Sequence, residues 1–378
     1  MCAPALTAAL LFLCCASATA TTYVVSPDGA GDFPTIQSAI GAATNGDVIV
    51  LTDGTFTGDG NRDIDYLGKA ITVRSQSRAP ESCVIDCGGS ETDPHRGFRF
   101  RHGEQAGSVL SGVSVRGGWA TYPDLGGALY ADRCAITIVR CRFAENEAAS
   151  EGGAIFAYGT LAKIVESEFV GNASHAAAAA SFHDESEAYV IECLFEDNAS
   201  SSSGGALTFW ISGPNLVDRC TFVGNTAAHE GAALWAEKIS STFVRNCTFW
   251  GNGSPDGTVL AGNYELTMVN TVVAFSTQGP GVASNEDYVE LACCDVFGNE
   301  GGDWVGAIAD QYGIKGNISA DPLFCDPANG DLHIAAPSPC VPFSPVNPEC
   351  DLVGAWPVGC GGVPVAPSTW GATKAMYR

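Results

Sequence analysis

The sequence predicts an all-β protein whose chain winds into a single solenoid of stacked coils. Three observations lead to this fold class: a repeat of about 26 residues, short segments in which apolar and polar side chains alternate, and small residues at fixed turns. The repeat is clearest where Cys-Thr-Phe-x-Gly-Asn begins at Cys220 and again at Cys247. Segments such as AKIVESEFVGN and NLVDRCTFVGN have the two-residue period of a strand and lack a helical stripe. A helical repeat is therefore excluded.

One position of the repeat can be followed along the chain by counting from the two clearest copies. Counting assigns it to Cys87, Val113, Cys141, Ser167, Cys193, Cys220, Cys247, Asn270 and Cys294. In the five units from Cys141 to Cys247, Phe stands two residues later and Asn five residues later. A bend of small residues, most often Gly-Gly-Ala, is the second signature and is assigned to residues 126–129, 152–155, 178–181, 204–207 and 231–234.

The period and the strand pattern favour a right-handed parallel β-helix. Leucine-rich repeats would need Leu at regular offsets, and a propeller blade needs a longer unit with four strands. In a β-helix each repeat is one coil, coils stack about 4.8 Å apart, and equivalent side chains form ladders along the axis. The repeated Asn would then pair amide to amide, Phe would stack, and Cys would be a small buried apolar residue. The sequence therefore assigns these residues to folding rather than to catalysis.

Four segments are expected along the chain. Residues 1–20 are an apolar run that ends in Ala-Thr-Ala, which a signal peptidase accepts, so a signal peptide is predicted, with a membrane anchor as the alternative. Residues 21–335 are assigned to the β-helix with an N-terminal cap. Residues 336–362 are assigned to a C-terminal cap region, and residues 363–378 to a tail or sorting linker, with an inert tail as the alternative.

The N-terminal cap is expected to be a short amphipathic helix. Ile36, Ile40 and Ala43 follow Pro34 at helical spacing, and Gly46 ends the segment before the strand VIVLT. Such a helix would cover the open end of the first coil, because the ends of a solenoid need capping.

Two stretches resemble known families. The segment from Asp32-Phe33-Pro34 to Gly54-Thr55-Phe56 resembles the N-terminal entry of pectin-lyase-like β-helix proteins. The repeat, Gly-Gly-Ala-Ile/Leu followed by Phe-x-x-Asn, looks like that of chlamydial polymorphic outer membrane proteins. The two resemblances cover residues 32–297. They imply the fold but leave the function open, because that fold is shared by lyases, hydrolases and adhesins.

Composition restricts the partners and the location. The chain has 42 acidic and 18 basic side chains, and its net charge of -24 repels nucleic acid and anionic lipid. Past residue 20 no segment is long and apolar enough to cross a membrane as a helix. With the signal peptide, these features predict a monomeric bacterial protein that is secreted or held at the outer cell surface.

Thirteen cysteines follow the signal segment, and this odd number requires at least one free thiol. Ladder cysteines are expected to remain buried thiols, because coils about 4.8 Å apart hold their Cβ atoms beyond disulfide distance. One or two disulfides are expected in the loop-rich C-terminal part, among Cys325, Cys340, Cys350 and Cys360. No spacing of Cys or His suggests zinc, and no cofactor is predicted; Ca²⁺ stays open without a motif to support it.

Acidic residues give no convincing catalytic pair, so no catalytic or cofactor-binding residue is assigned. Glu151 and Glu230 both precede the small-residue bend, but three coils separate them by about 14 Å, too far for a hydrolase pair. The intervening coils offer Ala177 and Ser203 at that position. The acidic group around residue 183 is interpreted as a solvated loop and comprises His183, Asp184, Glu185 and Glu187.

Arg99 and Arg101 form a basic island on one face of a strand, opposite Phe98 and Phe100. They are expected to pair with acids of neighbouring coils such as Asp86, with binding of an acidic sugar as the alternative. The Asp-Asp and Gly-His-Gly motifs of polygalacturonases are absent from the sequence.

The favoured function is binding of a glycan or a cell surface without catalysis. About eleven coils would offer a flat face roughly 50 Å long. Aromatic residues near the turns could contact sugars there or pack within the protein; they are Tyr158, Trp210, Trp235 and Trp250. The alternatives are a polysaccharide lyase or glycoside hydrolase with an unrecognised site, and a structural spacer.

Overall fold

The computed structural model describes residues 20–360, except residues 239, 263–264 and 286–288. Most of this chain runs in coils of parallel strands. In one representative coil, the strand Ala135–Val139 is followed by Arg142–Ala144, Glu147–Glu151 and Ile155–Tyr158. The next strand, Leu161–Val165, then pairs in parallel with Ala135–Val139 and begins the following coil. The four strand positions build four parallel sheets, called A, B, D and C in the order in which the chain visits them.

The sheets contain the following described strands. Sheet A consists of Thr22–Val25, Val48–Leu51, Thr72–Ser75, Val109–Ser111, Ala135–Val139, Leu161–Val165, Glu187–Ile191, Asn215–Asp218, Thr242–Arg245, Leu266–Val269 and Val289–Ala292. Sheet B consists of Gly54–Phe56, Cys83–Asp86, Ser114–Arg116, Arg142–Ala144, Glu168–Val170, Leu194–Glu196, Thr221–Val223, Thr248–Trp250, Val272–Ala274 and Asp295–Phe297. Sheet C consists of Ile64–Asp65, Phe98–Phe100, Leu129–Asp132, Ile155–Tyr158, Ala180–His183, Leu207–Trp210, Leu234–Glu237, Val259–Ala261 and Val282–Ser284. Sheet D consists of Trp119–Ala120, Glu147–Glu151, Ala173–Ala176, Ala199–Ser200 and Thr226–Ala227.

The predicted side-chain ladders are present. The amide of each buried ladder Asn donates to the next one at 2.8–3.0 Å, and the column is Asn146, Asn172, Asn198, Asn225 and Asn252. The repeated Phe residues stack with ring centroids 4.5–5.1 Å apart, from Phe143 to Phe249. The ladder cysteines are buried free thiols, as expected. Burial raises the pKa of the Cys141 and Cys294 thiols to about 12, so they act as apolar filling.

Strand pairing corrects the counted register at three places. Cys83, not Cys87, lies beside Val113. Counting chose Cys87 because it assumed a spacing of about 26 residues, whereas the coil from Cys83 to Val113 is longer. Thr271, not Asn270, follows Cys247, and its hydroxyl accepts the Cys247 amide at 3.4 Å. The small-residue bend of the middle coil is 177–180 rather than 178–181, since Ile155 pairs with Ala180. A register shift between the strands Glu147–Glu151 and Ala173–Ala176 shortens that turn by one residue.

The N-terminal helix is present as the α-helix Ile36–Ala42. Thr35 caps it by accepting the Ser38 amide, and Ile36, Ala39 and Ile40 are buried. The helix packs against the first two strands of sheet A and the first strand of sheet C, as a cap should. Gln37 extends this contact, because its side chain accepts from and donates to the backbone of Asp65 at the edge of sheet C.

The described chain after Phe297 leaves the regular coils and folds back on them. It contains the 3₁₀ helices Gly306–Gln311 and Pro327–Asn329 and a small sheet of Phe324–Asp326, Asp331–Ala335 and Val358–Cys360. A second apolar cluster lies between this region and the outer face of sheet B, where Val272 and Val353 are both buried. The Trp356 indole donates to Thr221 at 2.9 Å, which ties the region to a coil far earlier in the chain.

Two disulfides hold this C-terminal region together. Cys325–Cys360 joins two cysteines from the expected set. Cys350 instead bonds to Cys293, a residue outside that set, and Cys340 is a buried free thiol. The predicted signal peptide, apart from residue 20, and the tail 363–378 lie outside the described residues. Among the described helices, none is long and apolar enough to cross a membrane.

Candidate functional site

The outer face of sheet C carries a line of aromatic side chains. In the strand Leu129–Asp132, Leu129 and Ala131 are buried in the core while Tyr130 and Asp132 point outward. Strand pairing places one outward position at Tyr130, Phe156, Ser181, Thr208 and Trp235 on successive coils. The same pairing places the other at Asp132, Tyr158, His183, Trp210 and Glu237. We call the ring-bearing members the aromatic rail: Tyr130, Phe156, Tyr158, His183, Trp210 and Trp235.

Rings along the rail contact one another across the coils. Tyr130 and Phe156 stack with centroids 6.1 Å apart, and Phe156 lies 4.9 Å from the His183 ring. His183 stacks on Trp210 at 6.2 Å, and Trp210 meets Trp235 edge to face at 5.5 Å. Phe156 is buried, whereas the other rings are partly exposed. Mutual packing therefore fixes their orientation while part of each ring stays open to solvent.

Three cations lie against rail rings. The guanidinium of Arg133 lies 4.9 Å from the Tyr158 ring centroid, and that of Arg96 lies 5.7 Å from Tyr130. The Lys238 ammonium lies 4.0 Å from the Trp210 ring centroid. Arg96 is nearly buried, and this burial lowers its pKa. These contacts add cation–π attraction to the packing of the rail.

His183 is the polar centre of the rail. Its Nε2 atom lies 2.8 Å from Glu151 Oε2 and 2.8 Å from Ser181 Oγ. In a nucleophilic triad the hydroxyl and the acid contact different ring nitrogens, whereas here both meet the same one. Ser181 is also fully buried. The group therefore orients His183 and does not present an accessible nucleophile.

The structure separates the group that sequence analysis interpreted as a solvated loop. That interpretation is wrong for His183, which ends the strand Ala180–His183 and has a side chain only 14% exposed. Strand alternation puts it on the rail. Asp184 and Glu185 form the following left-handed turn, and Glu187 begins the next strand of sheet A.

The two acids that precede the small-residue bend do not meet. Glu151 pairs with Ala176, so Ala176, not Ala177, occupies the position on the next coil. Backbone hydrogen bonds between successive turns then place Ser203, and after it Glu230, at the equivalent turn of the two following coils. Three coil spacings place Glu151 and Glu230 about 14 Å apart. Within the described residues no three acidic, His or Cys side chains form a group that could hold a metal ion.

The basic island at one end of sheet C is paired, although not with the expected acid. Arg99 contacts Asp63 at 3.0 Å and Arg101 contacts Asp65 at 3.2 Å. Asp86 instead pairs with Arg116 at 2.9 Å, because both lie on sheet B. The expected acid was therefore wrong, while the expectation of ion pairing is confirmed.

A loop at the margin of sheet C presents one more aromatic ring. The turn from sheet D to sheet C is longer after Trp119–Ala120 than after the next strand of sheet D, and it exposes 82% of Tyr122. Arg96 holds this loop, since it donates to the Leu125 carbonyl at 2.8 Å and pairs with Asp124 at 3.3 Å. The same guanidinium contacts Tyr130, so the loop is fixed beside the first ring of the rail.

Three of the four aromatic residues singled out in the sequence are on the rail, while Trp250 belongs to sheet B. Sequence reasoning missed Tyr130 and Phe156. The signal that could have found them is their place in the strand, since each is the second residue after the Ala of a Gly-Gly-Ala bend.

Two family profiles match parts of the chain. Residues 152–318 match a family described as "Right handed beta helix region". The chain is a right-handed parallel β-helix. Residues 140–158 of this β-helix also match the repeat of the Chlamydia polymorphic membrane proteins. No curated protein sequence matches the chain.

Several solved structures resemble the β-helix at low identity. A PL6 family alginate lyase, AlyGC, is 12% identical with a TM-score of 0.32; the match covers 92% of this chain and 60% of the lyase. A pectin methylesterase from carrot is 11% identical with a TM-score of 0.32, over 81% of this chain and 90% of the esterase. A mannuronic acid specific polysaccharide family 6 lyase from human gut microbiota is 11% identical with a TM-score of 0.24, over 74% and 87% of the two chains. The β-helix thus spans about 60% of the length of AlyGC, and none of these similarities carries an activity over to it.

Proposed function

We propose that this β-helix is an exported, surface-associated bacterial protein that binds a glycan through the aromatic rail without cleaving it. The observation that carries the proposal is the rail itself, a line of rings from Tyr130 to Trp235 that are partly exposed except for the buried Phe156 and are held in place by contacts between neighbouring rings. Sugar rings present apolar C–H faces and polar edges, so a fixed aromatic surface flanked by polar groups suits them.

The surface location has separate support. The sequence begins with a segment that fits a signal peptide. The match to the repeat of polymorphic membrane proteins is in keeping with a location outside the cell. Two disulfides in the C-terminal region favour an oxidising compartment.

The non-catalytic part of the proposal rests on the geometry of the rail. Ser181 is buried, and it shares one nitrogen of His183 with Glu151. Glu151 and Glu230 are too far apart for either geometry of paired carboxylates. The second candidate, a polysaccharide lyase or glycoside hydrolase, is favoured by a single contact, the Glu151–His183 pair beside exposed aromatic rings.

The proposal is tested by glycan-array binding of the wild-type protein and of Trp210→Ala, with Trp250→Ala as the matched control on sheet B. Binding should fall about tenfold or more for Trp210→Ala, in line with the loss of a fixed aromatic contact. The control should bind like the wild type. Thermal unfolding of each variant separates a lost contact from a lost fold.

Assays for reducing ends and for unsaturated sugars, with and without added Ca²⁺, test the enzyme alternative on the same glycans. Product release that disappears in Glu151→Gln would replace binding with catalysis. Absence of binding to any glycan would remove the proposed function and leave the structural spacer.

A further inference from the structure

We infer that the aromatic rail takes an uncharged polysaccharide rather than a polyuronate. This inference rests on the proposed function and names its ligand class. Its basis is the charges around the rail. The arginines there are paired with acids of the protein, and other acids beside the rail repel an anionic chain.

Arginines near the rail are already engaged by acids. Arg99 pairs with Asp63 and Arg101 with Asp65 at the first coils of sheet C. Arg96 pairs with Asp124 at 3.3 Å, and Arg133 pairs with Asp132 at 3.2 Å. A sugar carboxylate would have to compete with these partners, so the arginines offer it little net attraction.

Lys238 does not alter this balance. Its ammonium lies over the Trp210 ring, on the surface where a sugar would stack. Glu237 precedes it in the chain and shares the outward position with Trp210 on the next coil. A sugar carboxylate that is attracted to Lys238 would therefore also come close to the Glu237 side chain, whose negative charge opposes it.

An acid also lies at the middle of the rail, where Glu151 contacts His183 and its side chain is 32% exposed. Asp132 points outward on the same strand as Tyr130, at the first coil of the rail, and its charge is matched by Arg133. The chain as a whole carries a net charge of -24. A polyuronate, with one negative charge on every sugar, would meet repulsion both at the rail and at long range.

A neutral polysaccharide meets no such cost. Its hydroxyl groups can hydrogen-bond to the carboxylates and cations at the margins, while its ring faces contact the aromatic side chains. Tyr122, in the loop that Arg96 holds beside the first ring, adds an exposed aromatic side chain at one end.

The test compares neutral and acidic polymers on the full-length secreted protein. The probes are laminarin and mannan on one side and alginate and polygalacturonate on the other, at about 20 mM and about 500 mM salt. We expect binding to at least one neutral polymer, with affinity that changes less than about twofold between the two salt concentrations. Trp210→Ala should weaken this binding about tenfold, and Trp250→Ala should not.

Three results would overturn the inference, and they are distinguishable. Salt-sensitive binding to alginate or polygalacturonate, with none to the neutral polymers, would leave glycan binding in place and reject the uncharged ligand. Absence of binding to every polymer at both salt concentrations would reject the proposed function itself. Binding to neutral polymers that Trp210→Ala leaves unchanged would place the site away from the rail and would also reject the inference.

Discussion

At the scale of single residues, the Asn that recurs in each repeat forms a column of buried polar side chains that hydrogen-bond to one another. Asn198 donates to Asn225 Oδ1 at 2.9 Å and to the Phe169 carbonyl at 3.0 Å. Its own oxygen accepts both the backbone and the side-chain N–H of Asn172. One side chain thus satisfies buried groups on both neighbouring coils, none of which water can reach.

Asn198→Ala is therefore expected to lower the free energy of unfolding by at least about 2 kcal/mol, because it leaves buried donors and an acceptor on both neighbouring coils without partners. Denaturant unfolding measures the change. The control is Asn329→Ala at the exposed surface, where the amide donates to Asp326; it should change stability by less than about 0.5 kcal/mol. Equal effects of the two substitutions would contradict the role assigned to the column.

The small-residue bend has a left-handed backbone in five successive coils. Gly126, Gly152, Gly204 and Gly231 have φ between 59° and 72° there, and Ala177 has φ of 56° at the same position of the middle coil. A Cβ atom on Gly152 would lie 2.5 Å from the Ile155 carbonyl oxygen. An L-residue with a Cβ pays a steric cost in this conformation that glycine does not.

Ala177→Gly should therefore leave the melting temperature unchanged or raise it, since relief of about 1 kcal/mol of backbone strain offsets the added freedom of the unfolded chain. Gly152→Ala should lower it, with a loss of about 1 to 3 kcal/mol. Calorimetry of the two variants gives the comparison. A larger loss for Ala177→Gly than for Gly152→Ala would disprove the argument.

The residue-scale pattern was largely readable from the sequence, and its failures have physical causes. Asn, Phe and Cys recur because an inward side chain meets its equivalent above and below, so identical residues are a simple solution. Asn299 is a further member of the Asn column that counting missed, because Ser276 stands one coil before it; its side chain still accepts the Ser276 amide and donates to the Val273 carbonyl.

At the scale of elements, turn length decides which predictions fail. Strands repeat faithfully, but the turn from sheet D to sheet C loses one residue before Ala177, which displaced the counted bend. The same turn is longer before Gly126, where it presents Tyr122. Turns face solvent and tolerate insertion, so their lengths are not fixed by packing and cannot be read from the period.

The candidate site was only partly predictable for a related reason. Tyr158, Trp210 and Trp235 were noticed as aromatic residues, but their alignment with Tyr130 and Phe156 depends on strand register. A shift of one residue would exchange the outward and inward faces. The exposed face also carries no requirement for identical residues, so it leaves no repeat in the sequence.

Attachment of the C-terminal region depends on a buried acid. Asp295, in the last strand of sheet B, is fully buried and accepts hydrogen bonds from the Ala320 amide at 3.0 Å and the Cys340 thiol at 3.3 Å. Asp303 and Asp321 also face it, and no cation is paired with it among the described residues. Burial raises the pKa of Asp295 to about 7, because water no longer stabilises the charged form.

The sign of the resulting pH dependence follows from that direction. The folded pKa lies above the ordinary value near 3.9, so the protonated carboxyl favours the folded state and its contribution is lost as pH rises from about 4 to about 7. The loss is on the order of 4 kcal/mol at most. Asp295→Asn should remove this slope from unfolding curves collected across that range, and hydrogen exchange of residues 320–356 should slow at pH 8 relative to the wild type. Asp351→Asn, at an exposed position of the same region, should retain the slope; the same slope in Asp295→Asn would contradict the assignment.

At the scale of the whole molecule, stability is divided among coils that contact mainly their neighbours. Sheets A, B and C add one strand per coil in parallel register, sheet D does so over five coils, and the core is one continuous cluster from Val25 to Ile308. The ends are closed by other means. The helix Ile36–Ala42 and the Gln37 side chain close one end, and Gln311 bonds to Val289 and Leu291 at the last strand of sheet A. The interior coils are therefore nearly interchangeable units.

Removal of one whole coil tests this directly. Phe143 pairs with Phe169, so deletion of residues 143–168 joins Arg142 to Phe169 in the register that Phe143 had. Asn172 then takes the place of Asn146, and every inward side chain still faces the core.

Deletion of residues 143–155 instead joins Arg142 to Phe156, an outward residue of sheet C, and puts the following strand in the place of sheet B. The 26-residue deletion should keep cooperative unfolding and a β-rich circular dichroism spectrum, whereas the half-coil deletion should lose both, because inward residues would be forced into solvent. The region chosen lies away from Thr221 and Thr248, which hold the C-terminal region, so its attachment is unaffected in the first variant. Loss of cooperative unfolding in both variants would show that the coils are not independent units, and would require long-range coupling along the axis that stacking alone does not provide.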